Sequence, residues 1–218
     1  MIQRLRNKIP LEEFDYQTLM GALSDYARPR DKVTDLLAKG VIIRVKKGLY
    51  IFGSEYRKRP YSREILANLL YGPSCVSCEY ALSYYSLIPE RVETVTSVTS
   101  KRNKTFTTPV GVFSYHALPP AGFSIGMQRV ELADGSAFLL AAAEKALADK
   151  LYCERGLPLN SQKECLEYVV DSLRIDSNSL QEMDVALLEK LAAAYRSRRV
   201  KLLAGGVYRL TRRESGHA

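Results

Sequence analysis

Apolar residues recur along the first fifty positions with two different periods. Tyr16, Leu19, Met20 and Leu23 fall at i, i+3, i+4 and i+7, which predicts one apolar face of a helix within residues 11–26. Asp15 stands where an N-cap is wanted. A second helix is predicted from Arg28. Pro29 suits its first turn, where a missing N–H goes unnoticed. Val33, Leu36 and Leu37 form its apolar face, and Gly40 marks its end. The period then shortens. VIIRV and LYIF, within residues 41–52, read as two strands joined at Lys46-Lys47-Gly48, with the glycine supplying the positive φ of a hairpin turn. Residues 2–8 add a short basic helix.

The order helix, helix, two-stranded hairpin is that of a winged helix-turn-helix. Residues 53–61, GSEYRKRPY, are polar and carry Gly53 and Pro60, so they read as a linker. Beyond them the pattern alternates. Helices are predicted at 62–71, 76–87, 141–154, 161–174 and 179–197. Strands are predicted at 92–100, 104–108, 110–117, 123–132 and 136–140, with Asp134-Gly135 as a hairpin turn. The expected fold class is α+β: a winged helix-turn-helix over residues 1–55, then a mixed α+β domain over residues 61–218.

Charge sharpens this picture. The 218-residue chain carries a net charge of +8. Residues 1–60 hold 13 Lys+Arg against 7 Asp+Glu, so most of the excess sits in the first quarter of the chain. That asymmetry points to an anionic partner. On the helix that begins near Arg28, the residues Arg28, Lys32, Asp35 and Lys39 follow one exposed edge, with Asp31, Thr34 and Ala38 beside it. In a winged helix this helix enters the major groove of double-stranded DNA, and the hairpin reaches the adjacent backbone. Arg44, Lys46 and Lys47 are therefore expected beside phosphates, where they add affinity and little sequence information. A second basic region holds Arg196, Arg198, Arg199, Lys201, Arg209, Arg212 and Arg213.

Other chemistry finds little support. Cys75-Val76-Ser77-Cys78 is a C-x-x-C, but no second pair and no His pair completes a zinc set, and the only histidines are His116 and His217. Cys153 and Cys165 stand apart, so the four thiols are expected to be reduced in a cytoplasmic protein. Glu144-Lys145 and Asp149-Lys150 alternate in sign and read as a solvated helix face. Tyr80, Tyr84 and Tyr85 read as packing. No P-loop, G-x-S-x-G or G-x-G-x-x-G is present. The longest apolar run, Ala137–Ala143, is far short of a membrane span. No catalytic residue, metal or cofactor is expected, and no membrane partner.

Four segments resemble one family. YARPRDKVTDLLAKGVIIRVKKGLYIFG is similar to the winged-helix start of AbiEi-type antitoxins. SCEYALSYYSLIPE resembles that family's Ser-x-x-x-Ala-Leu helix and following turn. VETVTSVTSKRNKTFTTPVGVFSYHAL resembles its strand and hairpin, and AAAEKALADKLY its Glu-Lys-Ala-Leu-x-Asp helix. They occur in the family's order and span roughly residues 14–155. The resemblance implies a transcriptional autorepressor acting on promoter inverted repeats of a toxin–antitoxin operon for abortive infection. It also implies that the second domain neutralises a cognate nucleotidyltransferase toxin, without requiring contact with it. The DNA-contacting residues it implies are Arg28, Arg30, Lys32 and Lys39 on the helix and Arg44, Lys46 and Lys47 on the wing, with Thr34 among the candidates by position. The first alternative is a plain winged-helix transcription factor whose second domain senses a ligand or partner; the second is an enzyme acting on nucleic acid, with residues 1–55 as a targeting module.

Overall fold

The structure, a computed structural model, describes residues 2–156 and 158–214, the side chains of residues 213 and 214 excepted. His217 and the Arg213 side chain therefore lie outside the described residues. The fold is mixed α+β. Its first segment runs α1 (Ile2–Lys8), β1 (Glu13–Asp15), α2 (Tyr16–Ala22), α3 (Pro29–Ala38), β2 (Ile42–Lys46) and β3 (Leu49–Phe52). The strands form an antiparallel sheet in the order β1-β3-β2.

Local chemistry sets these boundaries. The Asp15 side chain accepts the Thr18 N–H at 2.8 Å and starts α2. Ahead of that cap, residues 11–14 lead into β1, whose three residues pair with β3 and for which no strand was expected. At the end of α3, Gly40 takes φ +65. Its N–H reaches Leu37 O at 3.1 Å, and the Val41 N–H reaches Leu36 O at 2.9 Å, a Schellman ending. Gly48 takes φ +88 in the hairpin turn.

Leu5, Ile9, Phe14, Leu19, Leu23, Val33, Leu36, Ile42, Tyr50 and Phe52 make one core between the helices and one face of this sheet. The other face, with Val45, Leu49 and Ile51, belongs to a second and larger core. The segment 53–61 is tied at both sides. The Lys58 N–H donates to Glu12 Oε1 at 3.1 Å, and Arg59 pairs with Asp134.

That larger core surrounds a six-stranded mixed sheet. Its strands are β4 (Ser74–Val76), β5 (Val95–Thr99), β6 (Lys104–Thr108), β7 (Gly111–Ala117), β8 (Met127–Glu131) and β9 (Ala137–Ala141), in the order β6-β7-β5-β4-β9-β8. Two pairings are parallel, β5 with β7 and β4 with β9. The strand β4 was not expected. The remaining helices are α4 (Arg63–Leu70), α5 (Cys78–Tyr84), α6 (Pro120–Phe123), α7 (Ala143–Cys153), α8 (Gln162–Glu167) with a π-helical continuation over Tyr168–Ser172, α9 (Ser177–Gln181), α10 (Val185–Tyr195) and α11 (Arg198–Glu214). Alternation along β7 separates two layers. Tyr115 donates its hydroxyl to Ala67 O of α4 at 2.6 Å, while His116 points to the side of α5 and α7.

Two helix expectations need correction. The run 179–197 is broken at residues 182–184, where Asp184 caps α10 by accepting the Leu187 N–H at 3.1 Å. The second is an omission: no helix was expected over the basic region after residue 197. It forms α11, whose Val200, Leu203, Ala204 and Val207 are buried.

Candidate nucleic-acid interface

Pro29 and the Schellman ending fix α3 at both ends, and Val33 and Leu36 fix which face is buried. Arg30, Thr34 and Ala38, at i, i+4 and i+8, are exposed. Thr34 Oγ1 donates to Arg30 O at 3.4 Å. Arg28, the N-cap residue, is 85% exposed and lies 3.9 Å from Asp31, a surface pair of small weight. The expected edge of Arg28, Lys32, Asp35 and Lys39 is assembled but partly neutralised. Lys32 is only 16% exposed, donates to Asp35 Oδ2 at 2.5 Å and lies 5.8 Å from the Tyr26 ring centre. Lys39 reaches Asp35 Oδ1 at 2.7 Å. These two amines, Lys32 foremost, hold the Asp35 carboxyl below its usual range. Lys32 is thus drawn towards the protein, while Arg28, Arg30, Thr34 and Lys39 face water.

The hairpin does not treat its three cations alike. Arg44 pairs across the sheet with Tyr50, on the side of the helices, and is exposed. A β-bulge lies between Arg44 and Lys46, so Lys46 stands opposite Leu49 on the other face. Its ammonium donates to Leu70 O at the end of α4, at 2.8 Å, and lies 5.1 Å from the Phe106 ring centre. Lys47, at the turn, is exposed. The expected grouping of Lys46 with Arg44 does not hold, because one inserted residue puts Lys46 on the other face of the sheet.

Lys46 meets cations that the sequence reading passed over. Lys104 lies 5.0 Å from the Phe106 ring centre and 5.7 Å from that of Tyr71. Lys101 lies 5.4 Å from Tyr71 and donates to Gly72 O. Lys101, Arg102 and Lys104 are all exposed beside β6, an edge strand. Three bases in SKRNK were a visible signal, obscured because the run fell between two predicted strands. A basic, aromatic-backed surface thus continues from the hairpin onto β6.

Two of the four charges assigned to a solvated face on α7 are instead deeply buried, while Glu144 and Lys150 are half-buried. Lys145 and Asp149 are fully buried and 3.4 Å apart. The Ser77 hydroxyl donates to Asp149 Oδ2 at 2.6 Å, Tyr195 donates to Asp149 Oδ1, and Lys145 donates to the Tyr195 hydroxyl oxygen at 2.8 Å. Burial pushes the Asp149 carboxyl up, against the pull of Lys145. With every member enclosed by protein, the network braces β4, α5, α7 and α10 together. Cys75 and Cys78 are also buried, and burial pushes the Cys75 thiol up to about 12. Among the described residues no group of three or more His, Cys, Asp or Glu could hold a metal ion, and no helix is long and apolar enough to cross a membrane.

No protein-family model matches the chain, and no curated protein matches it.

Proposed function

We propose that this protein is a sequence-specific binder of double-stranded DNA that represses transcription, with residues 1–55 acting as a winged helix. In this reading α3 enters the major groove. Arg28, Arg30, Thr34 and Lys39 face the bases and flanking phosphates, and Arg44 and Lys47 hold the backbone. The observation that carries it is the pairing of that element order with unneutralised cations: Arg30, Arg44 and Lys47 are exposed and form no ion pair with any described residue. The protein acts by binding, in the cytoplasm, and uses no cofactor.

From the four-segment resemblance we infer an AbiEi-type antitoxin, binding inverted repeats at its own promoter and neutralising a nucleotidyltransferase toxin through its second domain. Supporting this, polar residues of two of those motifs, Ser77 on one and Lys145 and Asp149 on the other, meet in the buried network. A plain regulator with a sensing second domain is the competing reading. It is favoured by Val45, Leu49 and Ile51, which join the hairpin to the larger core without an intervening tether.

Fluorescence anisotropy with a duplex from the gene's own upstream region, against a scrambled duplex, tests DNA binding. A preference of 1,000-fold or more at about 150 mM salt is the expected order for a specific binder. Equal affinity for both duplexes would overturn the regulator assignment. Growth rescue on co-expression with a neighbouring nucleotidyltransferase separates the antitoxin from the plain regulator.

A further inference from the structure

A second chemistry lies away from the DNA-facing surface. Cys78 is the first residue of α5 and Cys153 the last of α7, two helices packed against each other. That packing sets the Cys78 thiol beside the Cys153 thiol. Both line one groove of about 410 Å³, together with Glu79, Asn103, His116 and Lys150. Cys78 also adopts φ +53, a left-handed conformation that a side chain-bearing residue rarely takes. Such strain persists only where the surroundings hold it. Here the Ser77 hydroxyl is fixed on Asp149, and the sharp turn from β4 into α5 delivers the next residue's sulfur to α7.

We propose that Cys78 and Cys153 form a redox-sensitive pair, closing to an intramolecular disulfide when the protein meets a peroxide. The two thiols have unequal parts. Cys153 is half-buried at the groove and is the one an oxidant reaches. Cys78 is fully enclosed, and the neighbouring Cys153 thiol foremost, with burial second, pushes its thiol up, so it stays protonated until called upon. Lys150, on the groove wall, is paired with Glu79 and Glu154, and Arg155 stands beside it. In its thiolate form Cys153 attacks the peroxide O–O bond, giving a sulfenic acid and hydroxide. The Cys78 sulfur then attacks the Cys153 sulfur and breaks its S–O bond. The departing hydroxide takes up the Cys78 proton and leaves as water. Two thiols and one peroxide become one disulfide and two waters. The adjacent Cys75 is excluded as the partner, because its sulfur donates towards Val76 O within β4.

The test uses the full chain treated with a small excess of hydrogen peroxide, then alkylated in denaturant and digested. Accessible thiols should fall from four to two per chain, and mass spectrometry should find a peptide pair linked through Cys78 and Cys153. Reduction with dithiothreitol should restore all four. Cys75→Ser and Cys165→Ser should leave the linkage intact, and Cys153→Ser should abolish it. The wild-type map decides the matter even where a variant folds poorly. A Cys75–Cys78 linkage, a link between two chains, or oxidation of Cys153 to the sulfinic acid with Cys78 free would each overturn the proposal.

Discussion

Lys46 and Lys47 are neighbours in sequence with different roles, and salt titration can tell them apart. Six cations of the proposed interface are exposed, and five of them, Arg28, Arg30, Lys39, Arg44 and Lys47, have charged groups that no backbone carbonyl among the described residues holds. If each of these five neutralises one phosphate, log affinity falls with log salt at a slope of about −4.5, from about −0.9 per contact. Between 50 and 200 mM salt the affinity then drops about 500-fold. Lys47→Ala removes one contact, so the drop shrinks to about 150-fold. Lys46→Ala should leave it near 500-fold, because that amine is held by Leu70 O and the Phe106 ring. Its loss appears instead in stability. A charge-assisted bond at this partly exposed place contributes about 1 kcal/mol, which lowers the melting temperature by about 2–4 °C in a chain of this size. Anisotropy at six salt concentrations and a thermal melt on each variant measure both quantities. If Lys46→Ala flattens the salt slope as much as Lys47→Ala, with no change in melting, the divergence of the two side chains is refuted.

Other perturbations probe the scaffold. Lys145→Met strands the buried Asp149 carboxylate and should destabilise by about 3–5 kcal/mol, whereas Lys145→Met with Asp149→Leu should recover much of the loss; denaturant midpoints for both variants check this. Gly53→Ala drives a methyl group into the Gly40 carbonyl at the end of α3, and should lower stability by about 1–3 kcal/mol in the same assay. Asp15 has its carboxyl held below the usual range by the Thr18 N–H. Its contribution is therefore complete above the unfolded carboxylate range and fades as pH falls through the folded value. Asp15→Asn should flatten the acid limb of a stability-against-pH curve, and an unchanged limb would remove the cap from the account.

Much of the first fifty residues was legible because their signals are local. Asp15, Pro29, Gly40 and Gly48 act on backbone groups within four residues of themselves. The strands β1 and β4 were not legible, since three residues make a strand only once distant partners supply the ladder. The helix α11 was hidden by Gly205-Gly206 and by seven basic residues between 196 and 213. Its reason is tertiary: a Cβ on Gly206 would come within 2.9 Å of Leu166 Cγ, so the helix lies close against α8 there. Lys145 and Asp149 follow the same i, i+4 pattern as a solvated pair. What distinguishes them is Ala142, Ala146 and Ala148 around them, small residues that let neighbouring helices close over the charges. At the candidate site the cations were visible, but the direction of Lys46 was not. It depends on one bulge, a property of strand pairing that no residue type announces.

The three-stranded sheet has no free side. A fragment ending near residue 55 would carry Val45, Leu49 and Ile51 into water as a bare apolar strip, and such strips seek company. An isolated N-terminal segment cut from this chain would therefore clump. In the intact protein that strip is the seam by which the hairpin and the larger body are held as neighbours.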